Sequence, residues 1–356
     1  MSESDKKEQN QEIVLAEHPS GIPTKDTFRI NNIDMPTADT LRDNEVLIKS
    51  LYVSVDPGMR GFMDKGKDDA AGNKYELNEP ITSRSVAQIM ATGSDSSNGD
   101  NSFKKGDIVH GRFAWQKYQA VDVEDIEKVD PDLAPTSTAV SMLGVPGLAA
   151  YFGMLKIANL QEGETVVVSG AAGSVGSMAA QFAKIKGCKV VGIAGSSEKI
   201  DYLENELGLD KGINYKQTDN MQAAIKEACP DGVDVFFDNV GGELFDAVFA
   251  NINRHGRIAI CGQIAEYNAD NPPKGPRPMH TLIKKSARME GFVVFDFSDE
   301  FEDAKKQIAK WYNDDELIYR ENLIEGFENI PSAFIGLFEG ENIGKQMVKV
   351  SEVNET

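Results

Sequence analysis

The segment that most constrains the fold is a glycine-rich turn between an apolar run and a helical pattern. The apolar run, Thr165–Ser169, reads TVVVS, which is typical of a strand buried on both faces of a sheet. The turn reads GAAGSVG over 170–176, and apolar residues recur at helical spacing from Ser174 to Lys186. A strand that enters a helix through so tight a turn predicts the first unit of a parallel, doubly wound α/β sheet.

The same turn is a candidate site for the pyrophosphate of a dinucleotide. It differs from the G-x-G-x-x-G pattern in that Ala171 stands at the first glycine position. Gly173 would let a phosphate approach the backbone, and Gly176 would let the helix pack closely on the sheet. A glycine-rich turn with a purely structural role is the alternative. The predicted cofactor-binding residues of the turn are Gly170, Ala171, Ala172, Gly173, Ser174, Val175 and Gly176.

Patterning divides the rest of the chain into two kinds of sequence. Short β-branched runs broken by glycine and proline fill residues 12–130, which indicates an all-β region. From about Ala139, apolar runs alternate with helical patterns, which favours a parallel sheet. A strand at 344–350 is expected to complete the N-terminal β region. Further strands are predicted at 189–194, 233–237 and 256–260, and a helix at 198–207.

Composition and charge exclude several classes of function. A formal net charge of −20 disfavours binding to nucleic acid or to an anionic membrane. We find neither a signal peptide nor an apolar run of about 18 residues, so we expect a cytoplasmic protein. Cys188, Cys229 and Cys261 are widely spaced and are expected to be buried thiols rather than disulfides or zinc ligands. None of the 4 histidines lies in a cluster with Cys or Glu, so we expect no metal site.

The residues after the second strand bear on the choice of cofactor. An NAD site places an acidic residue there to bind the ribose 2′-hydroxyl. Here the chain reads AGSSEK over 194–199, with small hydroxyl residues followed by Lys199. Ser196 and Lys199 suit a 2′-phosphate, so we expect NADPH/NADP+. A solvated helix residue is the alternative for Lys199.

Two further strands end in polar residues and glycine. The chain reads FFDNVGG over 236–242 and ICGQ over 260–263. Open α/β sheets bind ligands at the carboxyl ends of their strands, so both segments are expected at the site. Asp238 could instead cap a helix.

Several segments together resemble the medium-chain dehydrogenase/reductase superfamily. The chain is most similar to its zinc-independent leukotriene 12-hydroxydehydrogenase, prostaglandin reductase and 2-alkenal reductase group, in which it is like the bacterial NADPH-dependent curcumin reductases. The resemblance extends over nearly the whole chain from about residue 12. Its motifs are SVDPGMRG at 54–61, GVPGLAAYFG at 144–153, AGSSEK at 194–199, DNVGG at 238–242, ARMEGF at 287–292 and the tail from 325 to 345.

The resemblance implies an α/β fold with two domains and an active site in the cleft between them. A GroES-like β domain would be formed by both termini, and a Rossmann domain with a doubly wound parallel sheet would lie between. We therefore expect a disordered leader at 1–11, the GroES-like catalytic domain at 12–140, the Rossmann NADPH-binding domain at 141–310 and a return to the catalytic domain at 311–356. Relatives are often dimers that pair Rossmann sheet edges, so a homodimer is expected.

The resemblance also implies roles for individual residues. Lys199 would bind the 2′-phosphate with help from Ser196, and Tyr215 would lie along the adenosine half of the cofactor. Tyr267 matches the tyrosine placed near the substrate carbonyl, although a loop aromatic that packs on the surface is the alternative. The remaining implied cofactor contacts, near the nicotinamide, are Asn239, Asn342, Phe292, Val293 and Val294.

The implied reaction is hydride transfer from NADPH to the β-carbon of an enone or enal. Negative charge develops on the carbonyl oxygen, and we expect hydrogen bonds from Tyr267 and the cofactor ribose 2′-hydroxyl to stabilise it. An NADPH:quinone oxidoreductase on the same fold is the main alternative, and a non-catalytic NADPH-sensing protein is another.

The substrate pocket is the part that the resemblance defines least. Gly58 and Ala149 replace residues that are commonly bulkier in the family. Tyr52, with Trp115 and Tyr118, could form pocket walls or belong to the β core. The proline-rich loop 272–278 could be a lid or a plain connection. Candidate pocket residues are Tyr52, Met59, Arg60 and Arg277.

Overall fold

A computed structural model describes residues 9–65, 74–98, 101–269, 271 and 273–354. The chain divides into two compact units. Unit 1 comprises residues 1–140, 323–339 and 346–356, and unit 2 comprises 141–322 and 340–345. Unit 2 begins at Ser141. Most of the expected leader, residues 1–8, lies outside the described residues.

Unit 1 is built from β-strands. The N-terminal pair β1–β2 is antiparallel, and β3 pairs with both β4 and β8. Because β1 begins at Asn10, residues 10 and 11 belong to a strand and not to a leader. The strands are β1 Asn10–Leu15, β2 Phe28–Ile33, β3 Glu45–Ser54, β4 Thr82–Thr92, β5 Ser97–Asn98, β6 Asn101–Ser102, β7 Ile108–Ala114, β8 Tyr118–Asp122 and β9 Ile126–Lys128.

Unit 2 alternates strands and helices. Its elements are α1 Val145–Phe152, β10 Thr165–Ser169, α2 Ser174–Ile185, β11 Lys189–Ala194, α3 Ser197–Asp201, β12 Lys211–Asn214, α4 Met221–Ala228, β13 Val233–Asp238, α5 Gly242–Phe249, β14 Ile252–Ile260, α6 His280–Lys285, β15 Arg288–Gly291 and α7 Phe301–Asn313.

The sheet of unit 2 is parallel, with strand order β12-β11-β10-β13-β14-β15. The chain starts in the middle at β10, builds outward to β12, and then crosses to β13 on the other side. The strand order therefore reverses between β10 and β13, and this is where doubly wound sheets bind ligands. Ser169 and Asp238 are the last residues of these two strands.

The last part of the chain returns to unit 1 through β16 Glu321–Glu325, α8 Ile330–Glu339 and β17 Lys345–Lys349. β17 pairs antiparallel with β3, with Met347 opposite Ser54. The larger sheet thus has the order β16-β17-β3-β4-β7-β9. The expectation that the final strand completes the N-terminal β region is confirmed.

An apolar core in unit 1 joins the beginning and the end of the chain. Phe28 of β2 stacks on Trp115 with ring centroids 6.0 Å apart, and it meets Phe334 of α8 edge-on at 6.2 Å. Trp115 and Phe334 are both fully buried. Trp115 also donates its Nε1 hydrogen to Ser83 Oγ at 2.8 Å, so it is a core residue and not a pocket wall.

The expected boundary at residue 310 falls inside α7, which belongs to unit 2. The reason is an aromatic cluster: Trp311 packs on Phe182 of α2 at 5.1 Å and on Tyr151 of α1 at 6.0 Å. A helix that buries its aromatic face in this way stays with the unit that it covers.

Candidate functional site

The glycine-rich turn has the geometry of a tight strand-to-helix connection. Gly170 has φ +59°, a conformation that favours glycine. A Cβ on Gly176 would lie 2.2 Å from the Gly170 carbonyl oxygen, so any side chain there would push α2 off the sheet. Among the described atoms, a Cβ at Gly173 would meet within 4 Å only that same oxygen, at 3.3 Å. The space beyond Gly173 is therefore left open on the side away from the Gly170 oxygen.

The two alanines of the turn have structural roles. Ala171 and Ala172 are buried. Ala171 donates its N–H to Ile193 O at 3.0 Å, and Ala172 O accepts from Gly344 N at 2.8 Å. Their backbone groups thus hold the turn in place, and the start of α2 is left to meet a ligand.

The start of α2 fits an anionic group. Ser174 opens the helix, and its hydroxyl oxygen is buried without a hydrogen-bond partner among the described residues. The first N–H groups of a helix have no partner within it, and the helix dipole favours negative charge there. Val175, the next residue, packs its half-buried side chain into the apolar cluster around Leu148 and Phe152. The turn and Ser174 together can hold a phosphate group of a cofactor.

Ser196, Lys199 and Tyr215 come together at the ends of β11 and β12. Ser196 caps α3, and its Oγ accepts the Lys199 N–H at 3.2 Å. The Tyr215 ring packs over Gly195, where a Cβ would lie 2.9 Å from Tyr215 Cε1. Two strands that are neighbours in the sheet, with Ala194 opposite Asn214, place these turns side by side. The structure thus brings the turns that carry Ser196, Lys199 and Tyr215 together, and their binding of a 2′-phosphate stays a prediction.

The Lys199 ammonium is half-buried and has few charged neighbours. It donates to Gly340 O at 2.8 Å. Burial, followed by the nearby Lys216, lowers the pKa of Lys199, and Glu198 raises it. Glu198 itself is exposed. Lys216 is a second cation near this site that the sequence pattern did not identify.

The short segment 340–345 brings Asn342 to the glycine-rich turn. Gly344 pairs with Gly173 in a parallel bridge. Asn342 donates its side-chain N–H to Gly344 O at 2.8 Å, which fixes the amide next to that bridge. Residues nearly half the chain apart thus meet beside the glycine-rich turn, and a contact of Asn342 with the cofactor stays a prediction.

Asn239 follows β13 and is tied to the end of β10. Its backbone N–H donates to Ser169 Oγ at 2.8 Å, and its side-chain Nδ2 donates to Ser169 O at 2.7 Å. Ser169 in turn donates its hydroxyl to Asp238 Oδ1 at 2.6 Å. Asp238 is fully buried, and burial raises the pKa of its carboxyl. The sequence pattern predicts Asp238 at the site without a role, and it gives no signal for Ser169.

Tyr267 lies in the turn after β14, half-buried. Its hydroxyl oxygen accepts the Gln263 N–H at 3.1 Å. Burial raises the pKa of Tyr267, which keeps the phenol protonated at neutral pH. The loop is anchored to β13, because Asp238 O accepts from Cys261 N at 2.9 Å and Gly262 N at 3.1 Å. This phenol can donate a hydrogen bond to a developing oxyanion.

The segment 292–294 follows β15 at the same edge of the sheet as Ser169 and Asp238. Val294 is buried, Val293 is 49% exposed, and Phe292 is half-buried. The Phe292 ring packs on Gly153, where a Cβ would lie 2.7 Å from Cζ. That the backbone of 292–294 lines the nicotinamide stays a prediction.

The structure gives three of the candidate pocket residues packing roles within unit 1. Met59 is buried in the apolar core. Arg60 is 3% exposed and donates to Pro19 O, Gly21 O and Asp64, so its guanidinium is engaged inside the unit and is not available to a substrate. Tyr52 is half-buried beside the core cluster around Leu51. Arg277 is exposed, on the part of the 272–278 loop that is described; Pro272 lies outside it.

The described part of the chain gives little support for catalysis by a metal ion or by a cysteine thiolate. No group of three or more His, Cys, Asp or Glu residues there could hold a metal ion. The three cysteines are free; Cys188 and Cys229 are buried, whereas Cys261 is only partly so. Burial, with a contribution from Asp238, raises the pKa of Cys261 to about 12, so it is not a reactive thiolate. Within the described ranges, no helix is long and apolar enough to cross a membrane.

Comparison with known proteins gives matches along nearly the whole chain. The family model for zinc-binding dehydrogenases matches residues 174–310, and that for the N-terminal domain of oxidoreductases matches 11–129. YfmJ from Bacillus subtilis (strain 168), an oxidoreductase designated NADP-dependent, is 50% identical and covers 96% of this chain and 98% of its own. The NADP(+)-dependent 2-alkenal reductase of Nicotiana tabacum is 38% identical over the same shares. The crystal structure of CurA from Vibrio vulnificus in complex with NADPH has a TM-score of 0.87 at 36% identity, over 96% of this chain and 99% of that one.

Proposed function

The chain belongs to the medium-chain dehydrogenase/reductase superfamily, in the group of 2-alkenal and prostaglandin reductases, and from this premise we propose that it reduces the C=C bond of α,β-unsaturated aldehydes and ketones with NADPH. Relatives that cover nearly the whole chain are NADP-dependent reductases, and one similar structure holds NADPH. The observation that carries the choice of NADPH is the grouping of Ser196, Lys199 and Tyr215 at the ends of β11 and β12, and the similarity to 2-alkenal and prostaglandin reductases supports the C=C substrate.

We assign different parts of the cofactor to different residues of unit 2. We assign the pyrophosphate to the N–H groups and the Ser174 hydroxyl at the start of α2. The 2′-phosphate is assigned to Ser196 and Lys199, with Tyr215 packed along the adenosine. Asn239, Asn342 and the backbone of 292–294 take the nicotinamide half.

Tyr267 is the residue that we assign to the chemistry of the substrate. When bound, reduced nicotinamide supplies a hydride, which in this reaction is added to the β-carbon. The electron pair of the C=C bond moves toward the carbonyl oxygen, which gains negative charge and needs a hydrogen-bond donor until a proton from solvent is added at the α-carbon. The Tyr267 oxygen already accepts the Gln263 N–H, so its proton is directed to another acceptor, and a cofactor hydroxyl is the second donor that we assign. No metal is needed in this scheme.

A spectrophotometric screen tests the proposal. NADPH oxidation would be followed with 2-nonenal, with a cyclic enone, with a quinone and with saturated nonanal, and then repeated with NADH and with a chelator. We expect turnover of the two unsaturated carbonyl compounds with NADPH, none with the saturated aldehyde, and no effect of the chelator. A product saturated at C=C, identified by mass spectrometry, would complete the assignment.

Three other outcomes would replace the proposal. Faster turnover of the quinone than of either enone would make the protein a quinone oxidoreductase. NADPH binding without oxidation across the panel would indicate a sensing protein. Inhibition by the chelator that zinc reverses would overturn the metal-free scheme. We also propose a cytoplasmic homodimer, to be checked by cell fractionation and by light scattering.

A further inference from the structure

Two fully buried polar side chains meet where the strand order reverses. Ser169 ends β10 and Asp238 ends β13, and both are 0% exposed. The strands pair with Val168 opposite Phe237, so Ser169 and Asp238 are the next pair in register. The Ser169 hydroxyl lies 2.6 Å from Asp238 Oδ1. A carboxyl buried next to the valines of β10 and the phenylalanines of β13 costs free energy unless its hydrogen bonds are satisfied.

Every hydrogen bond of the Asp238 side chain has the carboxyl oxygens as acceptors. Besides the Ser169 hydroxyl, it accepts the Val240 N–H at 3.1 Å and the Gly241 N–H at 3.1 Å and 3.2 Å. Because the Ser169 hydroxyl donates its hydrogen bond to Asp238, Ser169 Oγ can only accept hydrogen bonds from other groups. It uses one of them to accept the Asn239 N–H at 2.8 Å. The direction of each bond is thus set by Asp238.

The main chain of Ser169 holds the Asn239 side chain. Asn239 Nδ2 donates to Ser169 O at 2.7 Å. A backbone carbonyl can only accept, so the amide nitrogen must face Ser169 and the amide oxygen must face elsewhere. Asn239 is itself only half-buried. Its Oδ1 is therefore an oriented acceptor at the edge of the sheet where a ligand binds.

We propose that Ser169 and Asp238 are positioning residues that act through Asn239, and that they orient its amide oxygen to accept a hydrogen bond from a ribose hydroxyl on the nicotinamide side of the cofactor. The inference rests on the proposed function, because it takes NADPH as the ligand. A ribose hydroxyl is a donor that NADPH and NADH share. Loss of this contact should therefore weaken the binding of NADPH and NADH equally, whereas loss of a contact to the 2′-phosphate should weaken only the binding of NADPH.

A double-mutant cycle on cofactor binding tests the proposal. Dissociation constants for NADPH and NADH would be measured by nucleotide fluorescence for Asn239→Ala, Ser169→Ala and the double variant. We expect Asn239→Ala to raise both constants about tenfold, the value of one buried hydrogen bond. Ser169→Ala should raise both by a smaller factor, because it removes the acceptor of the Asn239 N–H but keeps the Ser169 carbonyl that holds Nδ2. If Ser169 acts through Asn239, the double variant should bind no more than about twofold more weakly than Asn239→Ala alone.

A matched control separates positioning from loss of stability. Ser50 is a strand serine of unit 1, 1% exposed, whose hydroxyl donates to Gln116 O at 2.6 Å. Ser50→Ala should lower the melting temperature about as much as Ser169→Ala and leave both dissociation constants unchanged. If Ser169→Ala does not fold, Ser169→Cys keeps the side-chain volume with a weaker hydrogen-bonding group and should move the constants in the same direction.

Several results would overturn the inference. Single effects that multiply in the double variant would show that Ser169 acts independently of Asn239. Constants that do not change in Ser169→Ala or in Asn239→Ala would remove the positioning role while leaving the proposed function intact. Failure of the unaltered protein to bind NADPH would overturn the proposed function, and the inference with it.

Discussion

Lys199 is the residue that should decide which nicotinamide cofactor is used. Its ammonium is half-buried, has Lys216 nearby and donates to a backbone carbonyl at Gly340. A 2′-phosphate would offer it a charged partner instead, and such hydrogen bonds are roughly twice as strong as neutral ones. Lys199→Ala should therefore raise the dissociation constant for NADPH by about tenfold to a hundredfold and that for NADH by less than about threefold.

Calorimetry with both cofactors measures this difference directly. Lys226→Ala is the matched control, because Lys226 also donates to a backbone carbonyl, Pro230 O at 2.6 Å, on α4 of the same unit. It should change neither constant. If Lys199→Ala lost affinity for NADPH and NADH equally, the assignment of Lys199 to the 2′-phosphate would be wrong.

Tyr267 should matter for turnover and not for cofactor affinity. Tyr267→Phe keeps the ring and removes the proton that we assign to the developing oxyanion. Loss of one such donor lowers kcat on the order of a hundredfold. Stopped-flow measurement of NADPH oxidation by a saturating enone would report the chemical step, and fluorescence titration would report NADPH binding, which should be unchanged.

The control for Tyr267 is a buried tyrosine elsewhere. Tyr75 is 5% exposed and donates its hydroxyl to Thr82 O at 2.6 Å within unit 1. Tyr75→Phe removes an equivalent hydrogen bond and should leave kcat unchanged. A Tyr267→Phe enzyme with full kcat would exclude the phenol from catalysis.

At the residue scale, local sequence patterns identify candidate residues. They do not show which distant residues these candidates contact. The turn 170–176 and Lys199 were identifiable because each follows a predicted strand at a fixed spacing. Arg60 lies in a segment shared with the family, yet its guanidinium donates hydrogen bonds to the carbonyl oxygens of Pro19 and Gly21. Ser169 reads as the last residue of an apolar strand, and its link to Asp238 depends on β10 and β13 being neighbours. Such pairings between distant segments are not visible in spacing.

The connection between β10 and α2 is the element on which the site depends. A Cβ on Gly176 would meet Gly170 O at 2.2 Å, and both atoms belong to rigid backbone. Gly176→Ala should displace the start of α2 from the sheet, at a cost of about 1–3 kcal/mol in unfolding free energy. Because the helix start holds the pyrophosphate in our proposal, NADPH and NADH affinity should both fall by more than about tenfold.

Denaturant unfolding and cofactor titration of the same samples would check both effects. Gly61→Ala is the control, since a Cβ there meets no atom of the described residues within 4 Å. It should change neither quantity. Tight NADPH binding in Gly176→Ala would show that the start of α2 does not hold the cofactor.

Elements of unit 2 agree with the patterns that predicted them. β10 and β11 have the expected bounds, and α2 ends at Ile185, one residue before the expected end. The helix expected at 198–207 begins at Ser197 and passes into a π-helical turn at Tyr202–Glu206. The segment 340–345 was not assigned to this unit, because its bridge to Gly173 crosses about half of the chain.

On the scale of the whole molecule, unit 1 is assembled from both ends of the chain and unit 2 mostly from the middle. Unit 1 cannot complete its core until residues 323–339 and 346–356 have been made, because Phe334 and β17 belong to it. Unit 2 holds all the residues that we assign to the cofactor. Stability of unit 1 and cofactor affinity should therefore be separable.

A pair of core variants tests this separation. Phe334 in unit 1 and Phe236 in unit 2 are both fully buried, and each substitution by alanine should cost about 3–5 kcal/mol of unfolding free energy. Phe334→Ala should leave the NADPH dissociation constant within about twofold. Phe236 lies two residues before Asp238, in the strand that presents Asn239, so Phe236→Ala should weaken NADPH binding as well. Calorimetric unfolding with and without NADPH measures both quantities, since a ligand that binds only the folded state raises its melting temperature. If Phe334→Ala lost NADPH binding as fully as Phe236→Ala did, the cofactor site would depend on unit 1 as much as on unit 2.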